Sequence, residues 1–374
     1  MSTEKSRTSK ATTRRKFLVA AGATGAATIA MPQVSRAQTV NWKYQSTWPT
    51  KDIFHEMAAD YAKKVNDMSG GRLRLEVLAA GSVVPAFQMQ DAVQAGILDG
   101  GHGVCAYWYG KHKAYSLFGT PPSFGWDAHG FLGWFYHGGG EALYKELVND
   151  ILKLNLVGFL YFPMPTQPLG WFKKEVKSID DFKGMKYRTV GLSADLFKEM
   201  GAAVTILPGG EIVPAMDRGL LDSAEFNNPS SDILLGFPDV SKFYMMGSHH
   251  QQAESFEVIF NKAKYDALPV ELKSILRNAA FAATADQLAL AYDRYSKDLE
   301  AIRKRGVNVI KTGDAVLSGQ LKLWDKVIAD QSKEPFFKKV IDSQKDWVKR
   351  TGAYLQVNNL DSNALNAAYK HFFG

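Results

Sequence analysis

The chain has 374 residues, 46% of them hydrophobic and 22% charged, which is the balance of a folded soluble protein and too much chain for one ordinary core. Its formal net charge is +7, but residues 1–37 hold seven Lys or Arg against one Glu, so the rest of the chain is near +1. Nucleic-acid binding needs a standing basic patch and loses its main support.

Those first 37 residues read as an export leader. Arg14-Arg15 precede an uncharged run from Phe17 to Pro32, and Ser35-Arg36-Ala37 offers a small-x-small cleavage site before Gln38. The run is rich in Gly, Ala and Thr and falls short of the ~20 residues a bilayer span needs. A removed twin-arginine leader and a periplasmic protein are expected. Cys105, the only cysteine, excludes an intramolecular disulfide and reads as a small buried apolar residue.

After the leader, residues 39–45 alternate like a strand. Ile53, Met57, Ala58, Tyr61 and Val65 then recur at helical spacing up to Gly70-Gly71, and Leu73, Leu75 and Val77 alternate again. This order predicts a parallel sheet covered by helices. A repeat extends the pattern: residues 91–102 match residues 214–225, with identities at Ala92/Ala215, Gly96/Gly219, Leu98/Leu221 and Asp99/Asp222. In each copy a helix ends at glycine and turns into a strand, so two α/β lobes of similar construction are expected.

The second lobe is expected to begin at the proline-rich stretch 163–168. Within it Met185–Val190 and Ala203–Leu207 read as strands, and Leu192–Gly201 as a helix. Asn227-Asn228-Pro229 reads as a turn leading into a loop, and Ser255–Asn261 as a strand returning to the first lobe. From 269 to about 305 there is no internal Gly or Pro, which predicts a helix of ~50 Å. Further helices from about 314 to 372 would brace both lobes or pack on a second subunit. The expected division is a leader at 1–37, a first lobe of 38–162 with about 254–268, a second lobe of 163–253, and a helical region of 269–374.

Enzyme signatures are mostly missing: the sequence has no G-x-S-x-G elbow, Walker loop, H-E-x-x-H or paired C-x-x-C. The Gly138–Gly140 triplet reads as a turn. His249-His250 would face opposite sides of a strand, which disfavours a shared metal ion. The remaining polar candidates are Arg188, Glu225, Gln167 at the lobe crossing and Gln251 near the return crossing. An arginine fork at a strand end suits a carboxylate, while the plainer alternative is that Arg188 and Glu225 simply pair across adjacent strands. Glu225 and Gln167 offer hard oxygens suited to Na⁺ or Ca²⁺. Trp48, Tyr107, Trp108, Tyr109 and Phe226 are candidates for an apolar wall, led by the cluster at 107–109.

Residues 91–99, Gly184-Met-Lys-Tyr-Arg188, residues 215–225 and the helix after Pro269 together resemble the solute-binding proteins of tripartite ATP-independent periplasmic (TRAP) transporters, over essentially all of 38–374. The resemblance implies an α/β, two-lobed periplasmic-binding-protein-like fold with a long lobe-spanning helix and a helical C-terminal extension. It implies a receptor, not an enzyme, that delivers ligand to TRAP membrane subunits. Arg188 matches the family's ligand-carboxylate arginine. The branch it looks most like takes 2-oxo or 2-hydroxy monocarboxylates through a cation, held by residues matching Gln167, Glu225 and the main-chain carbonyl of Phe226. Some members of that branch dimerise by exchanging a C-terminal helix. Two positions depart from it: Phe226 stands where tryptophan is frequent, and Gln251 where glutamate is common. A receptor for an amino acid or dicarboxylate is the competing reading.

Overall fold

The computed structural model describes residues 39–359 and 361–373, so the expected leader lies outside the described residues. Eleven strands are formed there: β1 (Val40–Ser46), β2 (Leu73–Leu78), β3 (Gly100–Gly103), β4 (Leu156–Met164), β5 (Gly170–Phe172), β6 (Lys186–Arg188), β7 (Ala203–Thr205), β8 (Ser223–Ala224), β9 (Phe243–Met246), β10 (Glu254–Asn261) and β11 (Asn308–Lys311). The helices used below are α1 (Ile53–Met68), α2 (Met89–Gln94), α3 (Ser193–Glu199), α4 (Gly209–Asp217), α5 (Pro229–Leu235), α6 (Val270–Lys304), α7 (Asp314–Gln331), α8 (Pro335–Asn358) and α9 (Ser362–Phe373).

The strands form two sheets, one per lobe. The first runs β2-β1-β3-β10-β4 and the second β11-β9-β5-β8-β6-β7. The expected all-parallel sheet is corrected to a mixed one. β1 is parallel to β2 and β3, but the returning strand β10 enters antiparallel between β3 and β4. In the second sheet β6 is parallel to β7 and β8, while β5 is antiparallel to β8 and β9. Because β10 is covered on both faces, all eight of its residues are buried.

The duplicated turn is real in three dimensions. α2 ends before Gly96 (φ 77°) and α4 before Gly219 (φ 72°), a left-handed conformation that glycine adopts without a Cβ penalty. In both copies the conserved leucine amide returns to the conserved alanine carbonyl, Leu98 to Ala92 at 3.1 Å and Leu221 to Ala215 at 3.3 Å. The conserved aspartate then ties the turn to the neighbouring strand. Asp99 accepts from the Lys43 amide and Asp222 from the Lys186 amide, at 2.6 and 3.0 Å, and each returns its own N–H to the same residue's carbonyl.

The chain leaves the first sheet after Met164, just past Pro163, a residue that cannot donate to the ladder. The register slips opposite it, between Ser255 and Phe256, and Phe162 takes φ 56°. The Phe162 amide is caught by the Thr284 hydroxyl on α6 at 3.0 Å. α6 has 35 residues, about 52 Å, and packs on β4, α1 and α5, so it spans both lobes. Beyond it, α7, α8 and α9 are helical as expected, but β11 adds an edge strand to the second sheet in a stretch read as purely helical. Its four residues have only two partly buried side chains, too short a run for alternation to register. The Asn227-Asn228-Pro229 turn is also corrected. Asn228 caps α5, its side chain accepting from the Ser231 amide at 2.9 Å with Pro229 in the first turn, and a second short helix follows at Phe237–Val240.

Candidate functional site

β6 and β8 are adjacent and parallel, so Arg188 at the end of β6 and Glu225 just past β8 emerge side by side. Arg188 is 1% exposed. Its Nε donates to the Leu207 carbonyl at 2.8 Å, and Nη1 donates to both the main-chain oxygen and Oε1 of Glu225, each at 3.0 Å. The plain cross-strand pair therefore exists. Nη2 remains buried with no hydrogen-bond partner, and the guanidinium also lines a cavity.

That cavity is tight, with ≈ 10 Å³ open to the centre of a water molecule, room for about one water. Trp48, Phe54, Val104, Val190 and Phe226 form an apolar wall, and Tyr107, Gln167, Arg188, Asn227 and Glu254 bring polar atoms to it. Phe226 packs edge-to-face against Trp48 and tilted against Phe54, with ring centroids 6.4 and 5.9 Å apart. Larger concavities lie elsewhere, along α8 and the Phe124–Gly133 segment, and contain none of these residues.

Two buried carboxyls face Arg188. Burial pushes Glu225 up to about 7 against the opposing pull of the Arg188 charge. Burial likewise pushes Glu254 up to about 8, opposed by hydrogen bonding from Gln167 and reinforced by the negative charge of Glu225. Glu254 Oε2 accepts from Gln167 Nε2 and, at 2.6 Å, from Asn227 Nδ2. Oε1 of Gln167 is buried without a hydrogen bond, while Glu225, which stands behind the cavity lining, and the Tyr107 hydroxyl are buried with only loose contacts, to Thr189 and the Val190 backbone and to the Gly209 backbone respectively. Buried oxygens that lack donors are costly unless something supplies positive charge. Hard, neutral or anionic oxygens of this kind fit Na⁺ or Ca²⁺, and nothing in the set resembles the nitrogen and sulfur ligands that zinc prefers.

The remaining expected residues fall elsewhere. Cys105–Trp108 is a short helix with three residues per turn, so consecutive side chains diverge by about 120°. Tyr107 therefore meets the cavity, while Trp108 turns into the first-lobe core and donates Nε1–H to Glu257 at 2.5 Å. Tyr109 points to Asp195 on α3, at 2.6 Å. Gln251 sits in an irregular bend before β10. Its carbonyl accepts from the Gln167 amide at 3.2 Å, but its side chain is not among the cavity-lining groups. His249 and His250 lie in the same bend, not on a strand, and face Ser123 and Ser248. Cys105 is buried, as expected.

Glu254 is the main residue that sequence reasoning missed. Reading the strand from Ser255 left it out by one position, although two glutamates flanking the strand's first apolar residue, Phe256, were a usable signal. Asn227, Phe54, Val104 and Val190 carry no motif and are recruited only by the fold.

The chain is similar to known proteins over most of its length. The family model described as bacterial extracellular solute-binding protein, family 7, matches residues 44–365. A monocarboxylate 2-oxoacid-binding periplasmic protein of Nostoc sp. is 32% identical over 323 residues, covering 86% of this chain and 87% of that one. A TRAP transporter solute-binding protein of Bordetella bronchiseptica superposes with a TM-score of 0.84 at 26% identity, over 89% of this chain and 98% of that one; it is described as a dimer with calcium and picolinate bound. A TRAP periplasmic solute-binding protein of Pseudoalteromonas atlantica with bound sodium and pyruvate superposes with a TM-score of 0.81 at 28% identity, over 90% of this chain and all of that one.

Proposed function

Because the chain belongs to the bacterial extracellular solute-binding proteins of family 7, the receptors of TRAP transporters, we propose that it captures a small 2-oxo or 2-hydroxy monocarboxylate with a bound Na⁺ or Ca²⁺ and delivers it to the TRAP membrane subunits from the periplasm. The observation that carries this reading is the buried, unpartnered Nη2 of Arg188 beside the donor-poor oxygens of Gln167 and Glu225.

Arg188 would hold the ligand carboxylate through Nη2, with its other N–H groups already fixed by Leu207 and Glu225. This pre-orients the guanidinium and lowers the ordering cost of binding. The cation would be held by Gln167 Oε1, Glu225, the Phe226 carbonyl and Glu254, and would supply the positive charge that lets an anionic ligand share a cleft with two carboxyls. The Tyr107 hydroxyl would serve the ligand's second polar group. Gln167 and Glu254 fix each other, and Asn227 fixes Glu254 from the other side.

The tight cleft and its aromatic wall favour a small ligand. Arg188 is the sole basic side chain among the lining residues, which argues against a dicarboxylate. The family acts as a receptor, and bound ligand should be recovered unaltered. We also read α9 as a dimerisation element: Leu365, Tyr369, Phe372 and Phe373 expose an apolar face, and the Bordetella relative is a dimer.

Thermal unfolding of metal-stripped protein with a panel of carboxylates, each with and without Na⁺ or Ca²⁺, tests the proposal. A ligand at 100 times its Kd stabilises the folded state by about 2.7 kcal/mol, so 2-oxo monocarboxylates should raise the midpoint by several degrees only when the cation is present. A response to dicarboxylates alone, or to no acid under any ionic condition, would overturn it.

A further inference from the structure

The Phe226 ring lines the cleft, and what lies behind it is unusual. Gly209 opens α4 directly after Pro208, and a Cβ built on Gly209 would lie 2.5 Å from Phe226 Cε2 and 2.6 Å from Cζ. Ordinary carbon contacts are ~3.5 to 4 Å, so any side chain here would push the ring away by about 1 Å. The backbone of Gly209 is not in the left-handed region, so an alanine is conformationally acceptable and only the ring contact forbids it.

The ring has few ways to move. Its centroid is 6.4 Å from that of Trp48 and 5.9 Å from that of Phe54, and the Arg188 guanidinium stands 5.8 Å from it. Arg188 is itself tied to Leu207, two residues before Gly209, so the same short segment holds the arginine and backs the ring. The open direction is the cleft that the ring lines. We infer that Gly209 sets the length of ligand the cleft admits, by letting the Phe226 ring lie back against the first turn of α4. Gly209 is thus a positioning residue that determines specificity without touching the ligand. The inference rests on the proposed reading of this cleft as a carboxylate site and adds the determinant of chain length.

The test measures affinities of the calcium-saturated full chain for pyruvate, 2-oxobutyrate and 2-oxopentanoate by calorimetry. A ring displaced by about 1 Å removes room of the order of one methylene group, and a methylene in an apolar pocket is worth ~10- to ~200-fold in discrimination. Gly209→Ala should therefore raise the pyruvate-to-2-oxopentanoate affinity ratio at least tenfold. Adding Phe226→Leu should return the ratio toward that of the unmodified protein, and Phe226→Leu alone should lower it. Those three shifts together support the inference, and they are ratios that a general loss of stability would not move; far-UV circular dichroism identifies any variant that fails to fold. An unchanged ratio in folded Gly209→Ala, or a loss equal for all three acids, overturns it while leaving the carboxylate reading intact. If the unmodified protein binds none of the three acids, the carboxylate reading fails and this inference falls with it.

Discussion

Replacing Arg188 by lysine keeps the positive charge and removes the fork, which makes it the sharpest probe of the site. Three of the five guanidinium N–H groups are used by Leu207 and Glu225, and the two on Nη2 have no partner. A lysine ammonium is a single point and cannot reach Leu207, Glu225 and a ligand carboxylate together. The loss is at least one charge-assisted hydrogen bond, about 1.5 to 3 kcal/mol, or ~10- to ~150-fold in Kd. Alanine is less informative. It strips the buried Glu225 of its cation, and breaking such a pair costs about 3 to 5 kcal/mol of stability unless the carboxyl takes up a proton. Calorimetric titration at fixed calcium, with the unfolding midpoint measured alongside, separates the two effects. A lysine variant that binds within threefold of the unmodified protein at an unchanged midpoint would remove Arg188 from ligand recognition.

Closure of the cleft offers a second handle. Asp195 on α3 accepts from the Tyr109 hydroxyl at 2.6 Å and from Gln331 on α7 at 2.9 Å, tying the segment after β3 to the second lobe and the helical tail. Tyr109→Phe removes about 1.5 kcal/mol from the closed form and should speed ligand release ~10-fold in stopped-flow, so an unchanged release rate would dismiss the latch. Burial raises Asp232 from 3.8 to about 7, so its contribution to stability is full below about pH 4 and is lost as pH rises through 7. Asp232→Asn, which keeps an acceptor for the Trp171 N–H bonded at 2.8 Å, should abolish a decline of up to about 1.4 kcal/mol per pH unit. Parallel urea-unfolding stabilities from pH 5 to 7 in the two proteins would refute this.

Periodicity made the long elements legible. The apolar spacing in α1 and the absence of Gly and Pro in α6 are properties of single segments, and both helices lie where those patterns put them. The second sheet was harder to read, because β5, β6 and β7 have three residues each and β8 two, so alternation has no length in which to show. Chain direction failed for a different reason. Nothing local tells β10 that it will run antiparallel between β3 and β4, since that depends on where the chain re-enters after the second lobe. At the site, Arg188, Gln167 and Glu225 were findable as polar residues beside predicted strands. Trp108 was misplaced because a short three-residue-per-turn helix separates it from Tyr107, a local geometry that leaves no mark on composition.

The duplicated turn explains why the two lobes can build one site. In the alignment of the copies His102 corresponds to Glu225, and both stand at or just past the strand that the turn delivers. His102 is fully buried and burial holds it down to about 3, so it is neutral; Nδ1 accepts from Trp48 Nε1–H at 2.8 Å, which leaves Nε2 to donate to Tyr161. Glu225 accepts from Arg188 Nη1 at 3.0 Å. Trp48 follows β1 and Arg188 ends β6, the strands parallel to β3 and β8 respectively. Each copy therefore places an acceptor at its strand end that orients a cavity-lining side chain from the neighbouring strand. In one lobe that side chain is an apolar wall, and in the other a cation. The contrast between an aromatic face in one lobe and a guanidinium in the other, which the proposed reading gives to the ligand's tail and its carboxylate, thus follows from a single aligned position, where one copy carries a neutral imidazole and the other a carboxyl.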